Sequence, residues 1–239
     1  MDGFSLVATR PGFVVVAKNP GVDFHDHGET AGLCTLVRRG LGLDRVWPVH
    51  RLDKDTSGLL LLATNRDAAV NLARVFRERG LDKYYVALSD HAPRKKQGLV
   101  QGDMVRSRRG TWKLVRTMLH PARTRFLSWS IRPGLRLFAL KLLTGRTHQL
   151  RVALKSLGAP VLGDRLYHQL VPDWPDRMYL HAHTLRFVLD GTPHVFRCPP
   201  EQGAFFQDQS VQAAMTALGC LEDLPWPGEP VRCRADWCP

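Results

Sequence analysis

The chain has 239 residues, 44% of them hydrophobic, and a formal net charge of +12. That composition excludes a wholly disordered chain, and no apolar run approaches the roughly 20 residues that a membrane-spanning helix needs. The opening MDGFSLVATRPGF has an early acid and no long apolar core, so it does not read as a secretory signal. The five scattered cysteines (Cys34, Cys198, Cys220, Cys233 and Cys238) are therefore expected as reduced thiols of a cytoplasmic protein.

In chain order, the β-branched run at Phe13–Ala17 predicts a strand, closed by the turn signal Asn19-Pro20-Gly21. Thr30–Arg39 places Leu33, Leu36 and Val37 at helical spacing, with Gly40 as a stop. Gly58–Thr64 is an apolar strand. Asn65 can cap a helix running through Glu78, with Ala69, Leu72, Ala73 and Phe76 on one face and Gly80 past its end. Strands follow at Lys83–Leu88, Thr111–Thr117, Thr124–Ile131 and Leu135–Leu143. Thr147–Leu157 predicts an amphipathic helix that buries Leu150, Ala153, Leu154 and Leu157, with His148, Arg151 and Lys155 together on its other side. Met178–Leu189 and His194–Arg197 complete the strands. Strands outnumber helices without regular interleaving, so the class is α+β. One domain over 1–239 is expected, with its core at about 13–200 and a Pro/Gly-rich acidic tail at about 201–239.

The charge is unevenly placed. Between Arg94 and Arg125 lie ten basic residues, among them Arg106, Arg108 and Arg109, against Asp103 alone, a local net of +9. From Glu201 to Pro239 six acids face two arginines, a net of −4. A concentrated basic segment suggests a polyanion partner, most often nucleic acid; the plain alternative is a solvated surface.

Two stretches carry candidate chemistry. In HRLDKDTSGLLLLAT (50–64), charges stand at the mouth of an apolar run, where they are rarely left unless paired or used. Arg51, Thr56 and Ser57 near Asp53 favour an ionised carboxylate, which can serve as nucleophile or base; a loop salt bridge is the plain alternative. In LLTGRTHQLRVALKSLG (142–158), Arg146, His148, Gln149 and Arg151 gather where a helix begins, a setting that favours phosphate or carboxylate partners. A solvated helix face with satisfied hydrogen bonds would look the same. The histidines at His25-x-His27, His181-x-His183 and His194 have no carboxylate-rich or Cys-x-x-Cys companions, so no metal site is expected. The zinc-deaminase signature is absent, and no Gly-rich nucleotide loop points to a cofactor. Cys233 and Cys238 read as incidental thiols.

Taken together and in order, HRLDKDTSG, KYYVAL, TGRTHQLRVAL and LGAPVLGDRLY closely resemble the RluA-type family of RNA pseudouridine synthases, over about Phe13 to Pro200. The resemblance implies an α+β fold with a long, mixed, largely antiparallel sheet, flanking helices and a central cleft. It implies isomerisation of specific uridines in ribosomal or transfer RNA, with the target base flipped into a pocket. In that family the aspartate of the RLD triplet is catalytic, which maps to Asp53. The K-x-Y tyrosine maps to Tyr85, beside Tyr84, and the HQxR arginine, which pairs with the aspartate, maps to Arg151. Arg51 is implicated in RNA contact during flipping, and Arg146, His148, Gln149 and Thr56 are candidate substrate contacts. Neither cofactor nor metal is implied, and a monomer is expected.

The chain departs from the family pattern at Ala153, where a histidine is common, and in the basic segment after Leu88; both bear on the substrate. Only about a dozen residues precede Phe13, so no N-terminal S4 domain is expected. Two other classes compete. A non-catalytic RNA-binding protein would have no reason to keep Asp53, Tyr85 and Arg151 together. A glycoside-cleaving hydrolase needs a second acid across the sugar, for which Asp55 is the near candidate. Hydrolysis would release free base, whereas isomerisation leaves the RNA mass unchanged.

Overall fold

The computed structural model describes residues 3–78, 80–169 and 175–229, so Cys233 and Cys238 lie outside the described residues. Eleven strands and four helices are present among those residues: β1 (Phe4–Arg10), β2 (Phe13–Lys18), α1 (Leu33–Gly40), β3 (Trp47–Pro48), β4 (Ser57–Ala63), α2 (Arg66–Arg77), β5 (Leu81–Ser89), β6 (Gln97–Arg106), β7 (Trp112–Val115), β8 (Ala122–Arg132), β9 (Leu135–Leu142), α3 (Gln149–Ser156), β10 (Leu180–Leu189), β11 (Thr192–Arg197) and α4 (Gln209–Leu218). The class is α+β, as expected. No helix among the described residues is long and apolar enough to cross a membrane.

The chain divides into two compact units, 1–83 with 181–200, and 84–180 with 201–239. In the first, strand order is β1-β2-β4-β10, with β11 on β10 and β3 on β4. Strand β4 pairs antiparallel with β2 and parallel with β10, where Ser57 faces His181. Its run SGLLLLA is buried at every position because it lies inside the sheet. Phe13, Val15, Leu59, Leu61, Leu72, Leu185 and Phe187 form the core here. Helix α2 starts where the sequence places it: the Asn65 side chain accepts the Ala68 N–H at 2.8 Å. Helix α1 begins three residues later than its periodicity implies. His27 and Thr30 bond to each other as a bridge, and the Asp26 carboxylate takes the Gly32 N–H (2.6 Å) and the Thr35 hydroxyl (2.9 Å), fixing the start at Leu33.

In the second unit the order is β5-β9-β8-β6-β7, antiparallel between β6, β7, β8 and β9. Strand β6 has no alternation in sequence and is absent from the expectations above. Its Gly102 is required, since a Cβ there would lie 2.3 Å from the Val115 carbonyl of β7. The acidic tail is also ordered further than its composition implies. Asp208 caps α4, accepting the Ser210 N–H at 2.9 Å, and Phe206, Val211, Leu221 and Trp226 are buried with Tyr84, Leu137 and Tyr179. Each such side chain contributes about 1.5–3 kcal/mol on burial.

Candidate active site

The turn bearing Asp53 rests on a buried lysine. Lys18, 1% exposed at the end of β2, donates to the carbonyls of Asn19 (2.9 Å), Val22 (2.9 Å) and Lys54 (2.6 Å). The Gly21 N–H donates to the same Lys54 carbonyl at 3.0 Å, and the Thr56 N–H closes onto the Asp53 carbonyl at 3.1 Å. A buried ammonium is tolerated when its protons find acceptors, and here those acceptors fix the backbone around Asp53. Leu52 and Thr56 are buried beneath the turn, Asp53 is partly exposed, and Arg51, Lys54 and Asp55 face solvent. Thr56 thus closes the turn through its backbone N–H.

The start of β4 is locked from the side. Gly58 has φ +106°, and a Cβ there would meet the Ala182 carbonyl at 2.2 Å, so only glycine admits β10 this closely. His181 Nε2 donates to the Cys198 carbonyl (2.7 Å), and its Nδ1 shares a hydrogen bond with the Ser57 hydroxyl (2.8 Å). His181 is a structural histidine. His50 is another: Nε2 accepts the Leu61 N–H at 3.0 Å and the ring stacks on Phe76 at 5.1 Å. Burial, then nearby Lys83, pushes its pKa down to about 3, so it stays neutral. Lys83 lies 5.3 Å over the Phe76 ring, and burial lowers its pKa to about 8.

In the second unit, adjacent residues of β5 point to opposite faces. Tyr84, fully buried, packs against Trp226 with ring centroids 5.6 Å apart. Tyr85 therefore sits on the other face, and of the two it is the tyrosine not committed to that core.

The beginning of α3 is tightly organised. Gln149 is 4% exposed; its Oε1 accepts from Thr144 Oγ1 (2.8 Å) and the Arg146 N–H (3.0 Å), while Nε2 donates to the Arg123 carbonyl and Thr124 Oγ1 (3.0 Å each). With both ends of its amide engaged, Gln149 holds the strand-to-helix connection. His148 adopts φ +57°, and its Nδ1 lies 3.0 Å from Tyr167 Oη. A left-handed non-glycine residue costs on the order of 1–3 kcal/mol, and such residues concentrate at functional sites.

Arg151 corrects the amphipathic picture of α3. It is 4% exposed and does not share a solvent face with exposed Lys155. Its Nε and Nη2 donate to the two oxygens of Asp164, each at 2.7 Å, and Asp164 is fully buried. Asp164 also accepts the N–H groups of Leu166 (3.0 Å) and Tyr167 (3.2 Å). The guanidinium is thus held by one edge in a planar, two-bond grip, which sets the direction of its other edge. Sequence reasoning gives Asp164 no role, although it lies within the LGDRLY segment.

The basic segment is divided. Arg106, Arg108 and Arg109 are exposed around the β6–β7 hairpin, with the Arg106 guanidinium 5.6 Å over the Trp112 ring. Arg125 turns inward instead: with Lys141 it pairs to Glu229 of the tail, Lys141 at 2.8 Å, so it does not belong to the exposed basic face.

Residues 12–156 match the RNA pseudouridylate synthase family, a span that includes Asp53, Tyr85 and Arg151. The chain is 50% identical over 201 residues to a Haemophilus influenzae protein named an uncharacterized RNA pseudouridine synthase, covering 84% of this chain and 89% of the relative. It is 32% identical to ribosomal large subunit pseudouridine synthase C of Escherichia coli K12, over 84% of this chain and 66% of that one. Among solved structures it is similar to human RNA pseudouridylate synthase domain containing 1, with a TM-score of 0.74 and 27% identity over 95% of this chain and 97% of the other. The chain belongs to the RNA pseudouridylate synthase family, RluA type. It is an RNA pseudouridine synthase, an isomerase that acts on uridine through a catalytic aspartate and base flipping.

Proposed function

We propose that this enzyme converts specific uridines of ribosomal or transfer RNA to pseudouridine, acting in the cytoplasm as a monomer without metal or cofactor in the reaction. Asp53 is the catalytic carboxylate, nucleophile or base. Arg151 is its charge partner, as the family resemblance implies. Tyr85 packs against the uracil, and Arg51 contacts RNA as the base leaves the stack. The N1–C1′ bond breaks, the base turns, C1′ joins C5, and the C5 hydrogen is released as a proton. Nothing is consumed, so the residues need only position the base, hold a charge and move that proton. Arg146 and His148 at the start of α3, with Arg106, Arg108 and Arg109 on the hairpin, are assigned to RNA contact.

The observation that carries this reading is the Asp53 turn. A chain that commits a buried ammonium and two backbone N–H groups to fixing one loop aspartate, within the family-matched span, is built to present that carboxylate. The E. coli relative's name favours ribosomal RNA as the substrate. Mapping pseudouridines in cells with and without the protein tests this: defined ribosomal or transfer RNA positions should lose pseudouridine. An unchanged map in both RNAs would refute it.

A further inference from the structure

Asp90, His91 and His168 meet in the second unit, outside every role assigned above. Asp90 Oδ1 lies 2.6 Å from His91 Nδ1 and 2.7 Å from His168 Nε2, and one ligand-capable atom from each residue lies within 4.8 Å of the others. His168 is 8% exposed, and its Nδ1 is 2.7 Å from the Gln169 carbonyl. A carbonyl only accepts, so Nδ1 carries a proton, which leaves Nε2 as the nitrogen turned toward Asp90. A proton shared between Nε2 and the carboxylate holds that 2.7 Å contact, and a metal ion that displaced the proton would be held by the same two atoms. An imidazole whose second nitrogen donates to a backbone carbonyl is the arrangement that stands behind metal-ligating histidines. His91, with its side chain 52% exposed, brings a second imidazole to the same oxygen, the two rings 5.4 Å apart.

We propose that Asp90, His91 and His168 form a structural site for a divalent transition-metal ion of the zinc class. Two imidazoles and one carboxylate suit zinc, cobalt or nickel far better than magnesium or calcium, and water would complete four-coordination. Zinc bonds of about 2.0–2.1 Å at tetrahedral angles separate neighbouring ligands by about 3.3 Å, so the cluster must open by about 0.6 Å. The half-exposed His91 gives room for that. The ion would tie the end of β5, the strand carrying Tyr85, to the turn whose Asp164 grips Arg151; the His168 N–H already donates to the Asp164 carbonyl at 2.9 Å. Its role is to brace the site, and the isomerisation does not pass through it. Sequence spacing could not reveal the cluster, because His168 is 77 positions from His91.

The test uses untagged protein stripped with chelator, then titrated with Zn2+ by calorimetry and with Co2+ by visible absorption. One equivalent should bind, with a rise in melting temperature. His91→Ala, at an exposed position, and Asp90→Asn should each weaken binding at least about tenfold. The double variant His25→Ala/His27→Ala should bind as wild type does. Absence of stoichiometric binding, or binding abolished with His25 and His27 while surviving both His91→Ala and Asp90→Asn, would overturn the proposal. Isomerase activity measured with chelator present reports separately on the catalytic assignment.

Discussion

Removing Asp164 should damage stability and catalysis together, and the two effects can be separated. Asp164→Ala deletes four hydrogen bonds, two of them the 2.7 Å bonds to Arg151, and leaves that guanidinium 4% exposed without its carboxylate. Breaking a buried pair by losing one member costs about 3–5 kcal/mol, because the remaining charge stays desolvated. For a chain of this length each kcal/mol moves the melting temperature by about 2–4 °C, so a fall of about 6–20 °C is expected by circular dichroism. Replacing both partners with apolar residues, Arg151→Met with Asp164→Leu, should restore much of that stability, since no buried charge is left. It should not restore isomerisation, because Arg151 is proposed to act on Asp53. An Asp164→Ala melting temperature within about 2 °C of wild type, or an active double variant, would refute the reasoning.

Arg151→Leu should lower the single-turnover rate severely while RNA affinity changes modestly; collapsed affinity with an intact rate at saturating RNA would make Arg151 a phosphate ligand instead. Exchanging Arg106, Arg108 and Arg109 together for glutamine should weaken RNA binding and flatten its salt dependence. Each single-strand phosphate that is no longer neutralised should reduce the slope by about 0.7, so about 2 for all three. An unchanged slope would turn the hairpin away from the RNA. His50, whose pKa falls from about 6.5 unfolded to about 3 folded, binds its proton more readily in the unfolded chain. Stability should therefore fall as pH drops from about 6.5 toward 3, by up to about 1.4 kcal/mol per pH unit from this group. His50→Gln, which keeps an acceptor for the Leu61 N–H, should flatten urea-measured stability over that range, and an equally steep curve would show that another group is responsible.

Local periodicity made one part of this molecule readable and left another hidden. The run at β4, the β-branched β2 and the Asn65-capped α2 announce themselves because each buries a face or stripe that its own residues define. Strand β6 does not, since two glycines and the charged Asp103 and Arg106 break its alternation, and its place depends on β7 and β8. Helix α4 is absent from the expectations above: the spacing of Val211, Ala214, Met215 and Leu218 fits it, but the Pro, Gly and acidic residues around it obscured that signal. Charged partners were the least legible. Nothing local marks Lys18 as the anchor of the Asp53 turn or ties Arg125 to Glu229, 104 positions on. Arg151 illustrates the difference: its motif identifies it, whereas helical spacing could not show that it is buried, because Asp164 supplies the buried charge that spacing cannot anticipate.

The central claim is that the Asp53 carboxylate carries the isomerisation. Asparagine keeps the shape of the side chain but cannot be an anionic nucleophile or base at neutral pH. The turn that positions residue 53 is held through backbone carbonyls and N–H groups, which Asp53→Asn leaves in place. The variant should therefore fold and bind RNA as wild type does, since phosphate and base contacts made elsewhere supply the affinity. The measurement is tritium release from RNA labelled at uridine C5, because joining C1′ to C5 expels that hydrogen. Wild-type protein should release tritium without added metal or nucleotide, and the asparagine variant should release none while still binding the RNA; substantial release by the variant would contradict the account.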